Sequence, residues 1–298
     1  MTVTPPRDRA PPRQAESLVD GEFVLTAEDF KKIASIIHAH AGIALAEGKA
    51  ALVYSRLAKR LRNLGLESFK DYCALVSGHD GLDERQAMLT ALTTNVTRFF
   101  REPHHFDHLR DKVMPKLAEI ARRGGRVRLW SAACSSGQEP YSIALTILSV
   151  LPEAASLDVK ILATDIDPKI LEEAREGAYS DEAIQPVPTP LRGKWLKRAA
   201  MGVDKPWRVG DEIAEMVSFR ELNLIGDWPM SGRFDVIFCR NVVIYFDEAT
   251  QERVWNRFIP LMQPGATLCI GHSERVSGAA ADRLTSVGLT TYCLGTGA

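Results

Sequence analysis

The stretch Trp130-Ser-Ala-Ala-Cys-Ser-Ser-Gly-Gln-Glu-Pro-Tyr141 joins an apolar run to a helix that opens near Pro140, where proline suits the first helical turn. Small side chains let a ligand approach the backbone closely. In open α/β sheets, ligands bind beyond the carboxyl ends of the strands. Gly137 stands alone here, whereas a dinucleotide turn carries three glycines around a pyrophosphate. The loop therefore suits a ligand that lacks one. Asp165 ends the next apolar run. A carboxylate there can accept hydrogen bonds from both hydroxyls of a ribose, and Asp167, just before Pro168, is better placed as an N-cap. A sugar without a phosphate clamp points to the adenosine of S-adenosylmethionine. Glu139 fits two roles equally: a partner for that molecule's ammonium group, or a first-turn glutamate favoured by the helix dipole.

These residues need a scaffold, and the chain alternates in a way that supplies one. Strand-like runs at Val127–Trp130, Val159–Ala163, Phe234–Cys239 and Ala266–Ile270 interleave with helical patterns from about Pro140, over 168–176 and over Thr250–Met262. Such alternation implies a mostly parallel sheet with helices on both faces. Residues 178–220 interrupt it with residues such as Pro186, Pro188, Pro190, Trp195 and Trp207, and read as an inserted subdomain. Ahead of the sheet, residues 21–92 read as a small helical domain. Thr26-Ala-Glu-Asp29 has the form of a capping box. A second helix from about Lys49 to Leu64 carries the apolar stripe Val53, Leu57, Leu61 and Leu64. Two further helical patterns cover Ser68–Val76 and Asp83–Leu92. Residues 1 to about 20 are Pro- and Arg-rich, have nothing to bury, and read as a disordered tail. Residues 93–298 form the larger domain.

Composition narrows the function classes. The 298 residues carry a formal net charge of -1, which offers no electrostatic footing for a nucleic-acid partner. The five cysteines are scattered without a C-x-x-C pair, which fits a reducing compartment. No run is long enough to span a bilayer. A cytoplasmic location, without membrane insertion, is the expectation, and a monomer the simplest state.

Three strings together resemble the CheR family of chemotaxis receptor methyltransferases: Leu92-Thr-Thr-Asn-Val-Thr-Arg-Phe-Phe-Arg-Glu-Pro-His-His-Phe106, the Trp130–Tyr141 loop, and Phe238-Cys-Arg-Asn-Val-Val-Ile-Tyr-Phe-Asp247. Gly271-His-Ser-Glu274 fits as well. The resemblance runs from about residue 25 to the C-terminus, with Gln138 standing where many relatives carry a second glutamate. It implies an all-α domain followed by a Rossmann-like methyltransferase domain with a small inserted β-subdomain. It implies methyl transfer from S-adenosylmethionine to receptor glutamates, leaving S-adenosylhomocysteine. It implies cofactor contacts at Asn95, Thr97, Arg101, Glu139, Asp165, Asn223, Leu224, Arg240 and Asn241, with Arg101 and Tyr245 facing the transferred methyl group. The implied partners are the cytoplasmic helices of methyl-accepting receptors.

Such a reaction needs no general base, because a glutamate carboxylate is already ionised at neutral pH. Alignment and desolvation are what remain for the protein to supply. Lys49, Arg56 and Arg60 share one helical face through their spacing and read as a docking stripe for an acidic receptor helix. His104 and His108 are four apart, but no H-E-x-x-H motif surrounds them, so no metal is expected. The serines lack a G-x-S-x-G elbow. A methyltransferase for nucleic acid or small molecules, and a module that only senses S-adenosylmethionine, are the competing readings. The net charge opposes the first, and intact Arg101 and Tyr245 oppose the second.

Overall fold

The computed structural model describes residues 16–93, 95–199 and 203–295. It divides into two compact units. One covers the described residues up to His40 with Leu45–Leu92, and the other covers Ala41–Ala44 with the described residues from Thr93 onward.

In the first unit, strands β1 (Ser17–Val19) and β2 (Leu25–Thr26) pair antiparallel. The tail reading is corrected there, because Val19 pairs with Leu25; the rest of that reading, residues 1–15, lies outside the described residues. Helix α1 (Ala27–Ala41) starts with the expected box: Asp29 N donates to Thr26 Oγ1 at 3.1 Å, and Thr26 N to Asp29 Oδ2 at 3.4 Å. Helix α2 (Ala50–Leu64) ends at Gly65 in the left-handed region, with φ 66°. Helices α3 (Phe69–Ser77) and α4 (Leu82–Leu92) complete the unit.

Two details of α2 depart from the sequence reading. Val53, Leu57 and Leu61 are fully buried, but Leu64 is 40% exposed at the helix end. The basic stripe is not a free face. Arg56 Nη1 donates to Leu92 O at 2.8 Å and to Ala91 O at 3.3 Å, satisfying carbonyls at the end of α4 that a helix C-terminus leaves without intrahelical partners. Arg60 holds the Glu84 carboxylate by Nε at 3.0 Å and Nη2 at 2.5 Å, and Tyr72 donates to the same carboxylate at 2.8 Å. Lys49 and Lys59 remain exposed. Removing one partner of a buried ion pair strands the other. Arg60 keeps 28% side-chain exposure, so solvent screening reduces that penalty. Arg60→Ala is expected to cost on the order of 2 kcal/mol, read from a denaturant midpoint, while Lys59→Ala stays within about 0.5 kcal/mol. Equal midpoints for the two variants would return Arg60 to the solvated face.

The second unit begins with α5 (His104–His108) and α6 (Met114–Arg122), joined by a π-helical turn. Then come β3 (Val127–Ala132), α7 (Gln138–Val150), β4 (Val159–Asp165) and α8 (Pro168–Glu176). The insertion contains β5 (Ala178–Tyr179), α9 (Thr189–Trp195), β6 (Leu196–Arg198), β7 (Trp207–Val209) and α10 (Asp211–Met216). Its strands form a separate antiparallel sheet in the order β5-β7-β6. The chain then resumes with β8 (Val217–Glu221), β9 (Phe234–Cys239), α11 (Glu248–Phe258), β10 (Met262–Ile270), α12 (Ala279–Arg283), β11 (Leu284–Gly288) and β12 (Thr291–Leu294).

The main sheet has the order β11-β12-β10-β9-β3-β4-β8, parallel from β10 to β8. The insertion therefore stops before Val217 and not at 220, because β8 pairs with β4 as the sheet edge. Its buried Val217 and Phe219 alternate with exposed residues, the period-two signature of a half-buried strand. Period two also splits the core. Leu129, Val236 and Phe238 pack into one apolar cluster with α7, while Trp130 and Ile237 pack into the other with Val254, Trp255 and Phe258 of α11. Helices thus cover both faces. No helix among the described residues is long and apolar enough to cross a membrane, and all five cysteines are free.

Candidate active site

The strand order reverses between β3 and β9: from β3 the chain moves outward to β4 and β8, then returns to β9 and β10. That crevice is the switch point at which such sheets bind ligands. The loops after β3, β4, β8 and β9 leave the sheet at its carboxyl end, next to Glu139, Asp165, Asn223, Leu224, Arg240 and Asn241, while Asn95, Thr97 and Arg101 lie in the segment before α5.

After β3 the backbone turns through Ala133 at φ 67° and Ser135 at φ 50°, reaching Gly137 at φ 93°. A Cβ on Gly137 would lie 2.9 Å from the Tyr179 hydroxyl and 3.0 Å from the Tyr141 ring, so space and dihedral both require glycine. Phe100, Glu102 and Asn241 also have positive φ. Strained backbone of this kind gathers at ligand sites, where surrounding structure over-determines it. The loop is pinned to β4: Cys134 N donates to Thr164 O, and Ser135 N to Asp165 Oδ2, both at 2.8 Å.

Asp165 is 7% exposed and also accepts from Asp167 N at 3.1 Å. Burial pushes its carboxyl pKa up, and the amides of Asp167 and Ser135 oppose that push. Asp167 caps α8, accepting from Lys169 N at 3.0 Å. Asn95 reaches the same corner, with its carbonyl bonded to Ser135 Oγ at 3.0 Å. After β8, Asn223 Oδ1 accepts from Ile225 N at 3.0 Å. The Leu224 side chain is buried in the second core cluster.

The charged centre lies at the end of β9. The Arg240 side chain is 2% exposed and sits between two carboxylates: Nη1 is 2.8 Å from Glu139 Oε2, and Nη2 is 3.3 Å from Glu102 Oε2. Nη2 also donates to Arg101 O. Ser131 donates to Glu139 Oε1 at 2.7 Å. Glu139 is therefore a buried ion-pair partner of Arg240 as well as a first-turn glutamate. Burial raises the Glu102 carboxyl, but Arg240 and hydrogen bonds from His272 and Asn241 outweigh it and hold the group at about 2. Arg240 Nε is buried and has no hydrogen-bond partner among the described residues. Two carboxylates around one guanidinium, with a donor left over, suit a zwitterion such as the methionine end of S-adenosylmethionine.

The Arg101 side chain points to backbone rather than to Glu102 or Asp107. Its Nη1 donates to Val96 O at 2.9 Å, and Asp107 pairs with Arg110 at 2.9 Å. Arg101 and Thr97 are half-buried, and Tyr245 is 38% exposed. Glu102, on Arg240, and Glu274, on the amides after it, are carboxylates to which the sequence analysis gave no role. Both stand in the strings that carry the family likeness.

Glu102, His104 and His105 bring ligand atoms within 4.8 Å of one another. The Arg240 guanidinium against the shared carboxylate opposes a cation there. His105 is fully buried, with Nε2 on Thr290 and Nδ1 without a hydrogen-bond partner among the described residues. Burial first, and then Arg240, lowers its pKa from 6.5 to about 3. The unfolded chain binds this proton more readily, so the stability from neutral His105 is complete above pH about 6.5 and is lost as pH falls towards about 3. Thermal midpoints of the wild type are expected to fall between pH 7 and 5, with a shallower slope in His105→Gln. Parallel slopes would remove His105 as the cause.

Comparison with known proteins places the chain in a family. Residues 28–93 match the model of the CheR methyltransferase all-alpha domain, and residues 95–293 that of the CheR methyltransferase SAM binding domain. A probable chemotaxis protein methyltransferase of Rhizobium etli is 56% identical over 257 residues, covering 86% of this chain and 96% of that protein. The chemotaxis protein methyltransferase of Escherichia coli is 42% identical over 274 residues, covering 91% and 92%. That of Borreliella burgdorferi is 38% identical over 258 residues, covering 85% and 90%. The chain belongs to the CheR family and is an S-adenosylmethionine-dependent methyltransferase.

Proposed function

We propose that this enzyme methylates glutamate side chains of methyl-accepting chemotaxis receptors, forming glutamate methyl esters, and that S-adenosylhomocysteine is the second product. The observation that carries the reading is Arg240, buried between Glu139 and Glu102 at the switch point and bonded to the Arg101 carbonyl, with the exposed Tyr245 ending the turn that follows it in the chain. Glu139 offers a carboxylate to the cofactor's ammonium group, Arg240 offers a guanidinium to its carboxylate, and Asp165 offers acceptors to its ribose. S-adenosylmethionine supplies an electrophilic methyl group on a sulfonium. The receptor carboxylate attacks the methyl carbon, the carbon–sulfur bond breaks, and its electron pair stays on sulfur. A negative and a positive charge disappear together, so a site that excludes water favours the step.

Arg101 is suited to hold the substrate carboxylate by charge-assisted hydrogen bonds, and Tyr245 to donate another. Lys49 and Lys59, two of the exposed cations by α2, are suited to steer an acidic receptor helix in a salt-dependent way. Transfer of labelled methyl to receptor-bearing membranes tests the reading. The label is expected in the receptors and should be released by mild alkali, as from an ester. An alkali-stable label, or none in the receptors, would sink it. Tyr245→Phe removes only a hydroxyl and is expected to lower turnover about tenfold or more while S-adenosylhomocysteine affinity holds. Wild-type turnover in that variant would excuse the hydroxyl from catalysis.

A further inference from the structure

Glu274 follows the end of β10 and is 9% exposed. Its partners are backbone amides. Oε2 accepts from Gly271 N at 2.6 Å and Asn241 N at 3.0 Å, while Oε1 accepts from Val242 N at 2.9 Å, Val243 N at 2.8 Å and Ile244 N at 3.4 Å. An ionised carboxylate, which only accepts, matches five donors. The amides converge because Asn241 is left-handed at φ 58° and the chain then winds into the short turn Val243–Tyr245. Successive amides in such a conformation form a concave anion site. Elsewhere that geometry takes a phosphate or an Fe–S cluster; here a side chain of the protein fills it.

The turn so held begins beside Arg240 and ends on Tyr245. Asn241 Nδ2 also reaches Glu102 Oε1 at 3.3 Å, which links the turn to the charged centre. Gly271 shows how closely the parts fit. A Cβ there would lie 2.5 Å from Asn241 Nδ2, 2.7 Å from Asn241 N and 2.8 Å from Glu274 Oε2. We propose that Glu274 is a positioning residue: its carboxylate is the internal anion that shapes the 241–245 turn, and through it the aim of Asn241 and of the Tyr245 hydroxyl. The part that concerns Tyr245 rests on the reading of that residue as facing the transferred methyl group.

Methyl transfer to receptor membranes and calorimetry with S-adenosylhomocysteine test it, with wild type alongside. Glu274→Gln keeps the shape but turns an amide NH2 towards backbone N–H groups. Its kcat is expected to fall on the order of a hundredfold, with a KM for S-adenosylmethionine raised only severalfold. Glu274→Ala empties the amide site, and added formate should restore much of its turnover while formamide does not. Rescue by a small anion is a response that a general packing defect would not give. Gly271→Ala, with Glu274 intact, should displace the turn and reproduce the kcat loss, so the proposal stays testable if Glu274→Ala does not fold. Wild-type kcat and KM in Glu274→Gln would overturn the proposal, as would a folded Glu274→Ala that formate leaves unimproved. If wild type itself transfers nothing to receptors, the substrate reading fails and calorimetry decides. Weaker S-adenosylhomocysteine binding in Glu274→Ala that formate repairs supports positioning through Asn241, and unaltered binding ends it.

Discussion

Arg240→Met is expected to destabilise the protein by about 3–5 kcal/mol, because it leaves two buried carboxylates facing each other without their shared cation. For a unit of this size that corresponds to a thermal midpoint lowered by roughly 6–20 °C. S-adenosylhomocysteine affinity should fall at least about tenfold with the loss of a charge-assisted contact. Arg240→Lys keeps the charge but not the planar fork that reaches Glu139 and Glu102 on two sides, so it should recover only part of either property. Adding Glu139→Gln to Arg240→Met should return some of the lost stability, since the two residues touch and their effects are coupled. A midpoint and a dissociation constant both equal to wild type in Arg240→Met would mean that the guanidinium neither balances these carboxylates nor meets the cofactor.

Asp165→Ala should cost S-adenosylhomocysteine binding even more directly. Its carboxylate is bonded to the Ser135 and Asp167 amides, so it both pins the cofactor loop and presents acceptors beyond the end of β4. Each charge-assisted bond lost is worth roughly 1.5–3 kcal/mol, and affinity should drop by about tenfold or more. Calorimetry with S-adenosylhomocysteine measures it, with NAD as a ligand expected not to bind. Asp165→Asn, which keeps the volume, separates charge from packing. An unchanged dissociation constant in Asp165→Ala would take the residue out of the site.

Much of the scaffold was legible because its signals are local. Helix α8 follows Asp167-Pro168 and ends at Gly177, and both signals stand in the sequence. Strand β9 ends in the unbroken apolar run Val236–Cys239, the mark of a strand covered on both faces. Strand β8 was absorbed into the insertion because Val-Ser-Phe-Arg-Glu is short, half-polar and adjacent to irregular chain. Only its pairing with β4 shows which sheet owns it. Ser17–Val19 disappeared into the polar tail for a similar reason: two residue pairs with β2 leave no periodic pattern.

By itself the sequence determined the parallel sheet, the small-residue loop that ends at Gly137, and the acidic residue at the end of β4. Each follows from a spacing of a few residues, set by a period of 2 or 3.6 or by a cap. The tertiary structure decided which charges meet. Arg56 and Arg60 share a helical face as their spacing requires, yet that face carries no record of the α4 carbonyls or of Glu84 that occupy them. Glu139 and Arg240 are 101 residues apart, and Glu274 is 33 from Asn241, where the turn it holds begins. Such pairs exist only because the strand order brings the ends of β3, β9 and β10 side by side. A buried charge must find its partner wherever the fold places one, and sequence periodicity extends only a few turns along the chain.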